Sequence, residues 1–422
     1  MQTLSLRQST FIAAACAAFS VSVLPGAVFA QDAAQPSPAA QEATPGAPAA
    51  PPPIQPEQPD APRRPVTLTI ATWGGAYAQS QNFAVFSPYE KMAGDQIEVV
   101  RYEGTLEALE KLSASGAPAW DVVDVSSAVA ARGCGRGLLE PLDAADMTGA
   151  ADTGGDFIPG AIKPCAIGSV AWSAVMLYNK NRFAKRAPIR VEDLFDLKGF
   201  PGKRALPKGP KYNLEFALMA DGVDPSGVYA TLATPEGLVR AIRKLDQIES
   251  AIIWWDDAAA PVAQIGKTEA VMGIGFNGRA FHEAMMSRQP VGVIWDGQIY
   301  DMDYWAIPKG ARHLSVAKDF IRFALSSERL AAQTRYLPYG PARLSALTQV
   351  GKHAEIDVDM KPHLPTSPDN MKRALAIDEE WWGANETVVS VKFNAWLAGE
   401  AYDESAKSPP ETVRDAVPSS AN

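Results

Sequence analysis

Val66-Thr67-Leu68-Thr69-Ile70-Ala71 is a β-branched run that stops at Trp73-Gly74-Gly75. Such a run, ended by a glycine turn, reads as a strand. Residues 77–92 then read as a helix, and Ile97-Glu98-Val99-Val100-Arg101-Tyr102 as a second strand. Thr105 caps the next helix, with Ala108 at its third position and Leu106, Leu109 and Leu112 at helical spacing. Asp121-Val122-Val123-Asp124-Val125 is a third strand, closed by Ser126-Ser127. Strand–helix alternation of this kind predicts an α/β fold, a mostly parallel sheet with covering helices.

The alternation continues outward from this start. Residues 166–179 are rich in Val, Trp and Tyr and read as strand. Residues 210–220 and 235–248 read as helices, the second capped by Thr234 with Pro235 in its first turn. Residues 270–276, 291–295 and 304–307 read as strands, and 279–287, 316–324 and 327–334 as helices. No internal repeat is present.

The ends of the chain have a different character. Arg7, an apolar stretch from Phe11 to Leu24, and Ala27-Val28-Phe29-Ala30 read as a secretory signal over residues 1–30. Residues 31–65 are an Ala/Pro/Gln run with little to bury, expected to be a disordered tether. Residues 401–422 are polar and expected to be a flexible tail. The part left to fold is about 335 residues, more than one core usually fills, which predicts two lobes. Export places the chain in the periplasm.

Charge and motif content exclude several classes of function. A net charge of −9 lacks the basic face that nucleic acid requires, and tolerates a cationic ligand. After signal removal two cysteines remain, Cys134 and Cys165; in an oxidising compartment they are a disulfide candidate. Four scattered His and no C-x-x-C give no metal site, and no cofactor is expected. Gly273-Ile274-Gly275-Phe276-Asn277-Gly278 matches G-x-G-x-x-G, but it lies late in the chain, outside a first βαβ unit, and reads as a turn.

In open α/β sheets the ligand sits beyond the carboxyl ends of the strands. That rule selects Trp73 and Tyr77, Glu103-Gly104, Ser126-Ser127, and Asn277-Gly278-Arg279. Each has a plainer alternative. Trp73 is a core residue or a ligand face; Asn277 is a helix cap or a ligand contact; Arg279 holds a ligand or pairs with an acidic neighbour. In Trp254-Trp255-Asp256-Asp257, strand alternation turns the tryptophans to opposite faces, so at most one meets a cleft. Trp255 and Asp257 are the expected site members, the alternative for Asp257 being a helix cap.

At this point the chain resembles a known family. Ala71-Thr72-Trp73-Gly74-Gly75-Ala76-Tyr77 is the first piece, and Trp120-Asp121-Val122-Val123-Asp124-Val125-Ser126 followed by Gly137-Leu138-Leu139-Glu140-Pro141-Leu142-Asp143 is the second. The others are 271–279, Tyr300-Asp301-Met302-Asp303-Tyr304-Trp305-Ala306-Ile307-Pro308, and Tyr339-Gly340-Pro341. In this order they are similar to bacterial solute-binding proteins of the spermidine/putrescine type, which serve ABC importers.

The resemblance implies a two-lobe type II periplasmic binding fold, each lobe a mixed sheet flanked by helices, with the ligand cleft between lobes. Lobe one would hold residues 66–168 and 304–339, and lobe two 169–303 and 340–400. It implies a monomer that captures a polyamine such as putrescine or spermidine and delivers it to a membrane permease. Trp73, Tyr77 and Tyr339 would be pocket aromatics, Ser126 and Ser127 a small polar pair, and Asp303 an amine-binding carboxylate. Asp301 stands where such relatives carry a tryptophan, Phe276 replaces another, and Gly209-Pro210-Lys211-Tyr212 replaces acidic groups. Asp301 is then a second carboxylate or the cap of a turn. Arg279 could anchor a carboxylate, so a zwitterionic amino-acid-like ligand is the alternative. An exported hydrolase, which would need a Ser–His contact, and a sensory role are the others.

Overall fold

The computed structural model describes residues 63–116, 119–149 and 155–400. The expected signal, most of the tether and the tail fall outside the described residues. Folded contacts begin before Val66: the Arg63 guanidinium donates to Asp95 Oδ1 at 2.7 Å, and the Val66 amide donates to the same oxygen at 2.9 Å.

The strands expected at the start form as read. Thr67–Thr72 (β1) pairs in parallel with Gln96–Arg101 (β2) and with Val122–Ser126 (β3). The helix expected over 77–92 is two α-helical pieces, Gly75–Gln81 and Ser87–Ala93, joined by a π turn at Asn82–Phe86. Thr105 caps its helix as expected, Oγ1 accepting from the Ala108 amide at 3.3 Å.

Further strands are Ile162–Lys163 (β4), Ala166–Asn179 (β5), Arg204–Pro207 (β6), Ile252–Trp255 (β7), Met272–Phe276 (β8), Val291–Ala306 (β9), Gly340–Pro341 (β10) and Leu375–Ala376 (β11). The main order is β2-β1-β3-β9-β5-β8-β6-β7. Pairing is parallel at the two ends, but β9 runs antiparallel to both β3 and β5, and β5 antiparallel to β8. The sheet is therefore mixed rather than mostly parallel.

Two large hydrophobic cores flank this central crossing. The first gathers Leu68, Ile70, Val123, Trp305 and Phe320; the second gathers Leu206, Phe216, Ile242, Trp382 and Phe393. The long strands β5 and β9 contribute to both: Ile167 and Tyr304 lie in the first core, Met176 and Ile294 in the second.

The sequence suggests two separate strands at 291–295 and 304–307, yet β9 is continuous. Between those two stretches Gly297 takes a left-handed φ of 70°. The strand absorbs that as an irregularity in register near Ala174/Met176 and continues. The helix Glu379–Leu397, which sequence reading did not assign, closes the second core with Trp382, Val389 and Phe393.

Candidate ligand-binding site

The site grows from the carboxyl end of β1. Trp73 packs its ring 5.9 Å from Tyr102. Gly104, at φ +75°, lies directly beneath that ring; a Cβ there would fall 2.1 Å from it. Gly104 is thus a seat for Trp73.

One turn further, Tyr77 reaches back over the sheet. Its hydroxyl donates to Asp124 Oδ2 at 2.9 Å, and Gln81 Nε2 donates to the same oxygen at 2.6 Å. The Thr72 hydroxyl donates to Gln81 Oε1 at 2.7 Å, which fixes the amide. Asp124 is fully buried. Burial pushes its carboxyl up to about 7, against the opposing pull of the Tyr77 and Gln81 hydrogen bonds. Sequence reading missed Asp124 as a site residue because it sits inside a strand, where only the fold shows what covers it.

The second wall comes from β9. Asp303 lies opposite Ser126 in the β3–β9 ladder, and Asp301 lies opposite Trp172 in the β5–β9 ladder. Successive side chains alternate faces, so Asp301 and Asp303 share one. Burial, then the charges of Asp124 and Asp301, hold the Asp303 carboxyl well above the ordinary carboxylate range. Asp301 is pushed up to about 6 by burial, with Ser127 and the Met302 amide opposing. That amide donates to Asp301 Oδ1 at 2.7 Å within β9, so Asp301 caps no turn. Asp301 and Ser127 also line a cavity of about 520 Å³ that Tyr229 and Glu379 close from the other side.

Aromatic rings join these walls. Tyr77 and Tyr339 stand 6.0 Å apart. Phe276 contacts Trp172 at 5.6 Å, Tyr212 at 5.8 Å and Trp255 at 6.3 Å. Tyr339 is raised to about 12 by burial and the Asp303 charge, and the Arg279 charge opposes this. Arg279 itself is exposed and has no ion pair among the described residues.

Several expected members have other duties. Asn277 gives its Oδ1 to the Ser173 amide at 2.9 Å and donates its Nδ2 to the Pro338 carbonyl at 2.7 Å. It clamps β5 to the segment bearing Tyr339 and is neither a helix cap nor a free ligand group. Asp257 is exposed and its Oδ1 accepts from the Ala259 amide at 2.9 Å, a turn. The Ser126 hydroxyl accepts from the Val129 amide at 3.4 Å as a helix cap. Trp255 is a core residue, with Trp254 on the opposite face against Phe393 and Trp396, as alternation requires. No histidine contacts Ser126 among the described residues; His313, for example, lies 3.1 Å from Asp121. Cys134 and Cys165 form the expected disulfide, with Cα atoms 5.6 Å apart.

Phe276, Trp172 and Tyr212 form a second aromatic group, tied to Asp303 through the nearby Trp172 indole. A paired-aromatic, multiple-carboxylate cleft suits an organic cation, since ammonium groups attract aromatic faces and form charge-assisted bonds to carboxylates.

Comparison with known proteins gives the same kind of molecule. The model of the family described as bacterial extracellular solute-binding protein matches residues 84–366. A gamma-aminobutyric acid-binding protein of Pseudomonas aeruginosa is 37% identical over 332 residues, 79% of this chain and 91% of its own length. An ABC transporter substrate-binding protein from Bradyrhizobium japonicum superposes with a TM-score of 0.67 at 28% identity, over 79% of this chain and 99% of that one. A structure described as the Atu4243-GABA receptor superposes with a TM-score of 0.65 at 27% identity, over 80% and 99% of the two chains. These relatives are named as a binding protein, an ABC transporter substrate-binding protein and a receptor. The chain belongs to the bacterial extracellular solute-binding protein family, as a periplasmic ligand carrier of an ABC transporter and not an enzyme.

Proposed function

We propose that this binding protein captures a small zwitterionic amino acid whose ammonium and carboxylate sit at opposite ends, of the 4-aminobutyrate kind. One observation carries the reading: a carboxylate, Asp303, and a cation, Arg279, both act on the buried Tyr339 phenol, in opposite senses. Asp303 lies on the acidic side, and Arg279, free of ion pairs among the described residues, lies beside Tyr339 on the other. The relatives whose names carry gamma-aminobutyric acid support the same class. The ammonium would meet Asp303 and the faces of Tyr77 and Trp172, and the carboxylate Arg279.

Polyamine binding is the second reading, favoured by the additional carboxylates Asp124 and Asp301 on that wall. Lobe one would comprise residues 66–168 and 304–339 and lobe two residues 169–303 and 340–400, with β5 and β9 as connectors. The N-terminal thirty residues would be a cleaved signal and the mature protein a monomer. Calorimetry against 4-aminobutyrate, β-alanine, putrescine and spermidine tests the ligand class. Tighter binding of 4-aminobutyrate than of either polyamine is expected; the reverse order establishes the second reading, and no binding by any of them removes both.

A further inference from the structure

We propose that Asp124 and Asp303 form an exchange site in which the empty cleft holds a proton shared by the two carboxylates, and a ligand ammonium entering at Asp303 displaces it to solvent. The proposal rests on the amine-binding reading above and assigns Asp124, two residues deeper in β3 than the cleft-edge Ser126, a part in it.

The geometry starts from the ladder. Ser126 is directly opposite Asp303, so Asp124 is a diagonal neighbour of Asp303 on the same face. In such pairs the backbones are about 7–8 Å apart, within reach for side chains. Asp124 is an unevenly satisfied carboxylate. Its Oδ2 accepts from both Tyr77 and Gln81, while its buried Oδ1 has no hydrogen-bond partner. The Trp73 indole Nε1 lies close by but is itself without a completed bond. Asp303 makes no completed side-chain hydrogen bond among the described residues, although the Tyr77 hydroxyl and Trp172 indole are near. Tyr77 has one proton and donates it to Asp124. Two buried carboxylates with one shared donor cannot both stay ionised at low cost, because like charges at short range in a low-dielectric interior repel strongly. A proton between them removes that cost, and an ammonium at Asp303 supplies the same positive charge.

The surrounding charges do not replace that proton. From β9, Asp301 adds a third carboxylate, and buried phenols approach from Tyr77, Tyr102, Tyr304 and Tyr339. The cations that face the group are Arg279, beside Tyr339, and Lys211, near Asp301. Lys211 is paired with Glu379. Both carboxyls are accordingly held above their ordinary range, Asp124 to about 7. The two titrate as a coupled pair, so the proton belongs to both.

Calorimetry of the full-length mature protein at pH 6, with 4-aminobutyrate and separately with putrescine, tests the exchange in phosphate and in Bis-Tris. The observed heat should differ between buffers by the amount that release of about one proton requires. Affinity should fall about tenfold for each pH unit below 7. Asp124→Asn, which keeps shape and hydrogen-bonding capacity, should bind more weakly, release at most half as much proton and flatten the pH slope. Asp303→Asn should abolish release. Binding with a buffer-independent heat and a flat pH profile overturns the exchange alone. Failure of both probes to bind at every pH overturns the amine reading and the exchange with it. An independent readout is the infrared carbonyl band of a protonated carboxylic acid in the ligand-free protein. Its unchanged intensity in both variants also overturns the shared proton, whatever the ligand.

Discussion

At the scale of single residues, the two ends of the cleft can be tested separately because they use opposite charges. Asp303 sits almost wholly buried on β9, where an ammonium would form a charge-assisted bond in a dry setting. Asp303→Ala should weaken 4-aminobutyrate by about 1.5–3 kcal/mol, the cost of losing a charged hydrogen bond. Isothermal calorimetry checks this, and an unchanged Kd removes Asp303 from the site. Arg279 makes a sharper discrimination. Arg279→Gln should weaken 4-aminobutyrate by a similar amount, about 1.5–3 kcal/mol, and leave putrescine binding undiminished, since a diamine has no carboxylate to lose. Equal loss for both ligands would mean that Arg279 shapes the cleft and does not hold an anion. Fidelity of the sequence reading differed among neighbours for a physical reason. The position of Trp73 and Tyr77 beyond the carboxyl end of β1 was legible, because a β-branched run closed by Gly74-Gly75 marks a strand end. Asn277 stood in an equally suggestive place, yet its amide completes backbone bonds to Ser173 and Pro338 from distant parts of the chain. No local pattern carries those partners.

At the scale of elements, the clearest miss is the C-terminal helix Glu379–Leu397 and the buried acid that receives it. Its apolar residues surround the helix without a sharp stripe, so periodicity gave no clear signal, although Asp378 caps its start, Oδ1 accepting from the Trp381 amide at 2.8 Å. Its anchor is also remote. Trp382 Nε1 donates to Glu215 Oε1 at 2.7 Å, and the Tyr229 hydroxyl to the same oxygen at 3.2 Å. Glu215 is fully buried, and burial pushes its carboxyl up to about 7, above the ordinary glutamate value. The raised folded value means that the native state holds the proton more tightly than the unfolded chain between about pH 4.3 and 7. Stability attributable to Glu215 is therefore greatest below its unfolded value and is lost as pH rises through about 7. Glu215→Gln keeps an oxygen for Trp382 and cannot ionise. Its melting temperature should gain on the wild type between pH 5 and pH 8, by the equivalent of about 1–3 kcal/mol at the upper end. Parallel melting curves across that range would show that Glu215 stays neutral or solvated. By contrast β1, β2, β3 and the Thr105 and Thr234 caps were legible, because each is decided within ten residues. The continuous β9 was not, because its polar Asp301 and Asp303 and the left-handed Gly297 are tolerated only where β3, β5 and β11 pair with it.

At the scale of the whole molecule, the two cores meet through few covalent connections. β5 and β9 each run from one core into the other, and β10 adds a short antiparallel pairing to β5. A two-lobed arrangement held by strands of this kind permits a hinge, since the strands bend where register is already irregular, near Gly168/Val170 and Ala174/Met176. The candidate ligand groups are divided across that crossing. Trp73, Tyr77 and Ser126 follow or end β1 and β3, strands whose apolar residues lie in the first core, and Phe276 and Tyr212 pack with the second. A ligand that touches both sets makes contacts in a closed form that an open form lacks, and only such a difference in affinity can shift the balance between forms. Addition of saturating 4-aminobutyrate should therefore reduce the radius of gyration measured by small-angle X-ray scattering. Arg279→Gln and Asp303→Ala should each need more ligand to reach the same contraction, in proportion to their loss of affinity. A variant that binds with wild-type affinity but does not contract would separate capture from closure. An unchanged radius for the wild type at saturation would mean that capture occurs on a preformed cleft, and the irregular β5–β9 register would then be a packing feature with no part in motion.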